Sequence, residues 1–401
     1  MNRALHVRVP GLLVVILALV VSVVPAASAW EPQGGAVFNN PKGPRAAQYK
    51  IVNAITRAVQ GAPRGSTILM SAYMFDNGGT YNALMRAHGR GVHVQMVLDS
   101  AHARNGRTHR LAARFNRDNE RGPQPGRWGP DQSFLVFCQQ ACRGANGYNH
   151  TKFYAFSRSG TADDVVMVSS SNPNAGGAIK GWNDMYVAKR KPRLFEGFAR
   201  VLAEMAEDSP NDGDRFMQFR EGNALAQFYP KRTGAHPVMA DLNRVRCRGA
   251  TGGAGVGGRT AIRVSMFRWN RKWGKRIAQK LVSLADNGCR LDIIYGAPSR
   301  ELRLYLTDAA RRSARISLWD SRFDPNGNGE VNLRVHTKYL LVSGVHGGDR
   351  SSWRVTTGSQ NWGASLRTSD ENTITIDDRA VHAAYVRNWQ HVVNTSARRI
   401  D

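Results

Sequence analysis

The feature that most constrains this chain is that its pattern is written twice. Residues 36–55 (AVFNNPKGPRAAQYKIVNAI) have a counterpart at 226–245 (AQFYPKRTGAHPVMADLNRV). Each is followed by an apolar strand pattern, STILMSAYMF at 66–75 and TAIRVSMFRW at 260–269. Then come a helical pattern closed by glycine, TYNALMRAHGRG or KRIAQKLVSLADNG, and a second strand, HVQMVLD or RLDIIYG. Another helix (RTHRLAARFNRD or RELRLYLTDAARRS) leads to SFLVFCQ or ARISLWD, and finally to NHTKFYAFS or RVHTKYLLVS. Strands alternating with helices of this length indicate βαβ units. The expectation is an α/β fold of two similar lobes, each a mixed, mostly parallel sheet flanked by helices. The polar, turn-rich stretch 209–223 separates them, giving lobes over 30–222 and 223–401. The glycine-rich tract 248–260 is a loop inside the second lobe. It is no phosphate loop, because no Gly-Lys-Ser/Thr follows it.

The first 29 residues read as a signal peptide. Arg3 and Arg8 precede an apolar run over 12–24, and Ala27-Ser28-Ala29 is a small-residue cleavage site. The run is short for a membrane span, the competing reading. Cleavage predicts a secreted protein starting at Trp30. In an oxidising compartment four cysteines default to disulfides. Sequence order suggests Cys138–Cys142 and Cys247–Cys289, with a metal site of Cys138, Cys142 and His150 as a weak-spacing alternative. Hydrophobic residues make up 42% of the chain, which excludes wholesale disorder, and the net charge of +26 favours phosphate-bearing partners. Lipid headgroups, anionic membranes and nucleic acid all qualify, and charge does not choose among them.

Both repeats carry His-Thr-Lys in a strand pattern, His150-Thr151-Lys152 and His336-Thr337-Lys338. Residues two apart in a strand face the same side, so each repeat aims an imidazole and an ammonium at one place. With 11 histidines and 11 lysines, about 0.3 His-x-Lys pairs arise by chance. Two, at equivalent places, point to a shared site rather than to solvated strands. Downstream of each lies a strand and a polar turn, with Ser170 and Asn172 in the first repeat and Ser359 and Asn361 in the second. Beyond these come Asp184 and Glu371.

With these residues the chain resembles the phospholipase D superfamily, whose signature is His-x-Lys-x4-Asp, then Gly-Ser-x-Asn, then an acidic residue about ten positions on. The second repeat fits best, with Gly358 before Ser359; the first has Ser169 there. Both depart at the motif aspartate, where Ser157 and Ser343 stand. The resemblance implies an active site at the lobe interface and a secreted phosphodiesterase that hydrolyses phospholipid headgroups to phosphatidic acid. Phosphatidylcholine or a related phospholipid is the expected substrate at a membrane surface. Its implied mechanism has His150 attacking phosphorus and His336 as acid and base. Lys152 and Lys338 neutralise charge, Ser170, Asn172, Ser359 and Asn361 bind phosphate, and Asp184 and Glu371 orient the two rings. This chemistry requires no metal and no cofactor. A nuclease of the same superfamily and a non-enzymatic cationic binding protein are the alternatives. Tyr148, Phe153, Trp182, Tyr339 and Trp362 are candidates for an apolar mouth, with core packing the competing reading for the two tryptophans. The run 324–329 (DPNGNG) resembles a calcium loop but lacks the closing glutamate, because Val335 occupies its twelfth position. It reads as a turn.

Overall fold

The computed structural model describes residues 30–117, 131–324, 328–363 and 365–400, so the signal segment lies outside it. The first copy contributes strands β1 (Gly35–Phe38), β2 (Thr67–Ala72), β3 (His93–Asp99), β4 (Phe134–Cys138), β5 (Phe153–Ser159), β6 (Ala162–Ser169), β7 (Gly181–Trp182) and β8 (Asp184–Ala188). After the helix Pro192–Ala206 come β9 (Met217–Glu221), β10 (Ala224–Phe228), β11 (Val245–Arg246), β12 (Ala261–Trp269), β13 (Arg290–Pro298) and β14 (Ile316–Asp320). The chain finishes with β15 (Arg334–Val335), β16 (Lys338–His346), β17 (Asp349–Gly358), β18 (Asn372–Asp377) and β19 (Arg398–Arg399).

The duplication is carried into topology. The first sheet runs β1-β8-β6-β5-β2-β3-β4, and the second repeats that order as β10-β18-β17-β16-β12-β13-β14. β9 and β19 extend its two edges, and β11 pairs with β16. The turn at 222–223, where the lobes were divided, lies inside the β9–β10 hairpin, so β9 belongs to the second sheet. Both sheets are mixed, but the expected parallel majority is corrected. Only β2-β3-β4 and β12-β13-β14 pair in parallel, and the remaining neighbours are antiparallel. Connection length accounts for part of this. Helices Gly78–Gly89 and Arg271–Asp286 allow parallel crossovers, whereas β5 and β16 return through short hairpins, which permit only antiparallel pairing.

One helix joins the halves. Pro192 starts Pro192–Ala206, and Leu194, Phe198, Val201, Leu202 and Met205 recur at helical spacing to form one apolar stripe. That stripe packs on Leu69, Val97, Phe153 and Val166 of the first sheet and on Ala226, Phe228, Ile374 and Ile376 of the second. The counterpart helix Arg379–Ser396 buries Tyr385, Trp389 and Val392 against Tyr339, Leu341 and Val355. Trp182 and Trp362 are both buried in cores, which settles them as packing residues. Short cross-lobe pairings complete the junction: β7 runs parallel to β15, and Asn149 bridges Asp370.

Disulfides join Cys138 to Cys142 and Cys247 to Cys289. The first removes both thiols from any metal site with His150. The bridges close loops of very different length, with sequence separations of 4 and 42. Chain entropy then predicts that breaking the longer bridge costs about 4 kcal/mol and the shorter about 2 kcal/mol. Denaturant unfolding of Cys247→Ser/Cys289→Ser and Cys138→Ser/Cys142→Ser double variants checks this. Equal losses would contradict it.

Candidate active site

The His-Thr-Lys segments enter β5 and β16 at the edge where the two copies meet. Each threonine turns into its own sheet: Thr151 Oγ1 lies 2.5 Å from Ser71 Oγ, and Thr337 Oγ1 lies 2.6 Å from Ser265 Oγ. The histidine and lysine of each triplet therefore take the other face. Each triplet is also anchored by the opposite copy. The His150 N–H donates to the Asp370 carbonyl (2.9 Å), and the His336 N–H to the Trp182 carbonyl (2.8 Å). Lys152 and Lys338 are buried, with 0% and 3% exposure. Lys152 Nζ donates to the His150 carbonyl (2.6 Å) and Lys338 Nζ to the His336 carbonyl. The ammonium groups lie over aromatic rings, Lys152 over Tyr73 at 5.5 Å and Lys338 over Phe267 at 5.1 Å.

Glu371 meets the first imidazole from the opposite lobe, with Oε2 2.9 Å from His150 Nδ1. Ser359 Oγ donates to the same oxygen (2.5 Å) and Ser365 Oγ to Oε1 (3.1 Å). A carboxylate saturated in this way accepts from Nδ1–H, which leaves the lone pair of His150 on Nε2. Asp184 does not occupy the matching place. His336 Nδ1 lies 2.9 Å from Asn183 Oδ1. The Asn183 Nδ2 group donates to the Gly177 and Gly181 carbonyls, so Oδ1 is the acceptor and favours the His336 hydrogen on Nδ1, while Lys338 Nζ stands 3.1 Å from Nδ1 and 3.2 Å from Nε2. Backbone bonds fix the register of the repeat. Tyr229 N donates to Glu371 O and Asn39 N to Asn183 O; Ser359 N donates to Asn372 O and Ser170 N to Asp184 O. Asn183 is thus the counterpart of Glu371, and Asp184 the counterpart of Asn372. The expected ring-orienting role of Asp184 is corrected by one residue. Asp184 Oδ2 instead accepts from Thr357 Oγ1 and the Tyr385 hydroxyl, tying the first lobe to the second. Spacing held the signal: Asn183 follows Ser170 by 13 positions and Glu371 follows Ser359 by 12, whereas Asp184 follows by 14.

The serines and asparagines of the turns divide their work. Ser359 and Ser170 Oγ accept the N–H of Asn372 (2.9 Å) and Asp184 (3.0 Å), so both hydroxyls are engaged in orienting the partners of the rings. Asn172 Oδ1 accepts from the N–H groups of Tyr73 and Met74, and Asn361 Oδ1 from that of Arg268. Their Nδ2 groups bond to no other described residue and remain as donors. Gly358 has φ +149°, and a Cβ there would stand 2.2 Å from the Asn372 carbonyl. Ser169 fits in the other copy, donating to the Asp184 carbonyl (2.8 Å). Ser157 and Ser343 each accept a backbone N–H at 2.8 Å, from Thr67 and Gly255, far along the strand from the rings. A hydroxyl meets that need for an acceptor. Of the expected mouth aromatics only Tyr148 is exposed; Phe153, Trp182, Tyr339 and Trp362 are buried. Tyr73 and Phe267 flank the imidazoles instead, with ring centroids 5.2 Å from His150 and 4.6 Å from His336. They occupy the same position of the two repeats, the eighth residue of STILMSAYMF and of TAIRVSMFRW.

Burial dominates the electrostatics. It holds His150 well below its ordinary pKa, with Lys152, Lys338 and Arg268 adding to the effect. It does the same to His336, aided by Lys338, Lys152, His150 and Arg334. Burial brings Lys152 down to about 7 against the pull of Glu371 and Asp99, and Lys338 is held well below its usual range. Burial raises Glu371, opposed chiefly by Lys152. Four potential cations therefore crowd around one carboxylate that touches a ring, and the site lacks negative charge. An anion bound there would restore the balance.

The family model described as the PLD-like domain of cardiolipin synthase matches residues 51–206 and again 258–393. The chain belongs to the phospholipase D superfamily. Its fold is similar to that of phosphatidylserine synthase from Haemophilus influenzae Rd KW20, with a TM-score of 0.55 at 14% identity over 92% of this chain and 88% of that one. It is also similar to polyphosphate kinase from Porphyromonas gingivalis, with a TM-score of 0.54 at 13% identity over 89% of this chain. The phospholipase D-like chain spans 50% of that kinase. No curated protein sequence matches it. Superfamily members are phosphodiesterases and phosphotransferases, and two copies of the domain account for the two lobes.

Because the depressed lysine and histidine pKa values rise when an anion binds, binding should take up protons near pH 7, and affinity should fall as pH rises. Calorimetry with dimethyl phosphate, in buffers of different ionisation enthalpy, measures this. Proton release would contradict the charge balance described.

Proposed function

We propose that this protein is a secreted phospholipase D-type phosphodiesterase that hydrolyses a phospholipid headgroup ester through a phosphohistidine intermediate. The observation carrying this reading is the convergence of two His-Lys pairs on one cation-rich site, each imidazole holding its Nδ1 hydrogen toward a partner from the opposite lobe. His150 attacks phosphorus through Nε2. Phosphorylation makes its ring cationic, and Glu371 stabilises that charge. His336, protonated, gives a proton to the leaving oxygen, then removes one from water as the phosphohistidine is cleaved. Lys152 and Lys338 offset phosphoryl charge, and Asn172 and Asn361 donate through Nδ2. A lipid substrate is supported by Tyr73, Tyr148 and Phe267 beside the rings. The names of the matching family and of the phosphatidylserine synthase both concern phospholipids. The leader sequence supports secretion. The net charge of +26 favours a nuclease as the second reading.

Incubating the mature chain with a phospholipid panel and with plasmid DNA, in excess chelator, separates the readings. Activity should persist in the chelator, because the nucleophile is an imidazole rather than metal-bound water, and the phospholipid reading expects headgroup release without DNA cleavage. DNA degradation without headgroup release would favour the nuclease. His150→Ala should abolish turnover, and His336→Ala should lower kcat by about 100- to 10,000-fold on an alkyl leaving group. Turnover near the wild-type rate in either variant would remove the two-histidine mechanism.

The Asn183 contact has its own test. The groups facing His336 are Lys338, Lys152, His150 and Arg334, all basic, and its ring nitrogens meet only the Lys338 ammonium and the neutral Asn183 amide among the described residues. Asn183→Asp would place a carboxylate against Nδ1 and raise the imidazole pKa. The protonated acid then persists to higher pH, and the alkaline limb of the kcat profile should move upward, even though the variant gives up the two Nδ2 hydrogen bonds. An unmoved limb with reduced kcat would mean that Asn183 only packs.

A further inference from the structure

The repeat symmetry around the imidazoles is broken by charge on one side. Met74 and Arg268 are counterparts, since their N–H groups are received by Asn172 and Asn361 respectively. Tyr148 and Arg334 are also counterparts, each standing two residues before a motif histidine. At both places the first copy has a neutral side chain and the second an arginine. The two guanidinium groups converge on one ring: Arg268 lies 5.8 Å and Arg334 5.0 Å from the Phe267 centroid. Lys338 Nζ, at 5.1 Å, and the His336 ring, at 4.6 Å, share that ring.

Among the described residues, neither guanidinium has a carboxylate within ion-pair distance or donates a hydrogen bond. Arg268 is exposed and Arg334 half-buried. Burial, reinforced by the Arg268 charge, holds Arg334 below its ordinary range. Three like charges around one ring repel each other, and the single carboxylate on the rings, Glu371, is engaged by His150, Ser359 and Ser365. A phosphodiester carries one negative charge, and Lys152 and Lys338 already face its position. The two arginines therefore exceed what one phosphate needs. Guanidinium forks suit phosphate oxygens and repel a quaternary ammonium.

We propose that Arg268 and Arg334 form a second anion subsite beside the scissile phosphodiester, receiving a second phosphate carried by the same phospholipid. This rests on the phospholipid reading and narrows it: lipids with an additional headgroup phosphate are preferred over choline lipids. Asn361 links the subsite to the reaction centre, because its Oδ1 accepts the Arg268 N–H while its Nδ2 is left as a donor.

Two measurements on the mature chain test the subsite. Calorimetry compares methylenediphosphonate with methylphosphonate, which reads binding without turnover. The diphosphonate should bind at least tenfold more tightly, and this advantage should shrink to within twofold in Arg268→Gln/Arg334→Gln. Equal affinities in the wild-type protein, or an advantage retained in the double variant, would overturn the subsite. The single Arg268→Gln variant, at an exposed position, should lose part of the ratio with the fold intact by circular dichroism. Turnover then compares vesicles of phosphatidylinositol 4-phosphate with phosphatidylinositol, which differ by one phosphate. A kcat/KM ratio of at least tenfold, collapsing in the double variant, supports the lipid source. A thymidine trinucleotide turned over faster than both lipids would overturn that source. Lipid turnover with no preference for the extra phosphate would defeat the subsite alone, whereas a diphosphonate advantage without lipid turnover would defeat the phospholipase reading alone.

Discussion

Each imidazole is positioned by the other lobe, and the rest of the site depends on that exchange. Glu371 reaches His150 and Asn183 reaches His336, while the backbone N–H of each histidine is received one residue earlier, at Asp370 and Trp182. Neither repeat holds a complete site. The helix Pro192–Ala206 and the short β7–β15 pairing fix the lobes against each other, and their hydrophobic contacts thereby set the geometry of the rings. Burial of the two lysines follows from this closure, since both lie where the sheets face one another. The price of that burial is a set of depressed lysine and histidine pKa values, which an anionic substrate would reverse.

Duplication has not kept the halves equivalent. The first copy reads Asn183-Asp184 where the second reads Glu371-Asn372, so each retains one carboxylate but places it differently. In the second copy the carboxylate meets a ring, and Asn372 Oδ1 accepts the Lys152 N–H at 2.8 Å. In the first copy the amide meets the ring and the carboxylate receives Thr357 and Tyr385. Exchanging charge for an amide at one ring makes the two imidazoles chemically distinct. Arg268 and Arg334 add a second asymmetry on the His336 side.

Much of this was legible in the sequence because repeats expose what two copies share. The succession of strands and helices, the paired His-Thr-Lys segments and the Ser-x-Asn turns all follow from aligning one half with the other, and the disulfide partners follow from the order of the four cysteines. What escaped was what differs between the halves or depends on pairing. Residue type points to Asp184, although spacing favours Asn183, because a carboxylate is the expected partner of an imidazole. The antiparallel majority escaped because a hairpin and a helical crossover both follow an apolar strand and differ only in connection length. Phe153, Tyr339 and the two tryptophans are near the motifs in sequence but on strand faces turned into cores, whereas Tyr73 and Phe267, distant in sequence, are carried to the rings by β2 and β12.

The central claim is that His150, backed by Glu371, is the attacking group and His336 is not. Rapid alkaline quenching of the enzyme during turnover, followed by proteolysis and mass mapping, locates the phosphoryl group directly. The proposed mechanism predicts the adduct on the peptide covering residues 144–152, at His150. An adduct on His336, with none on His150, would contradict the account.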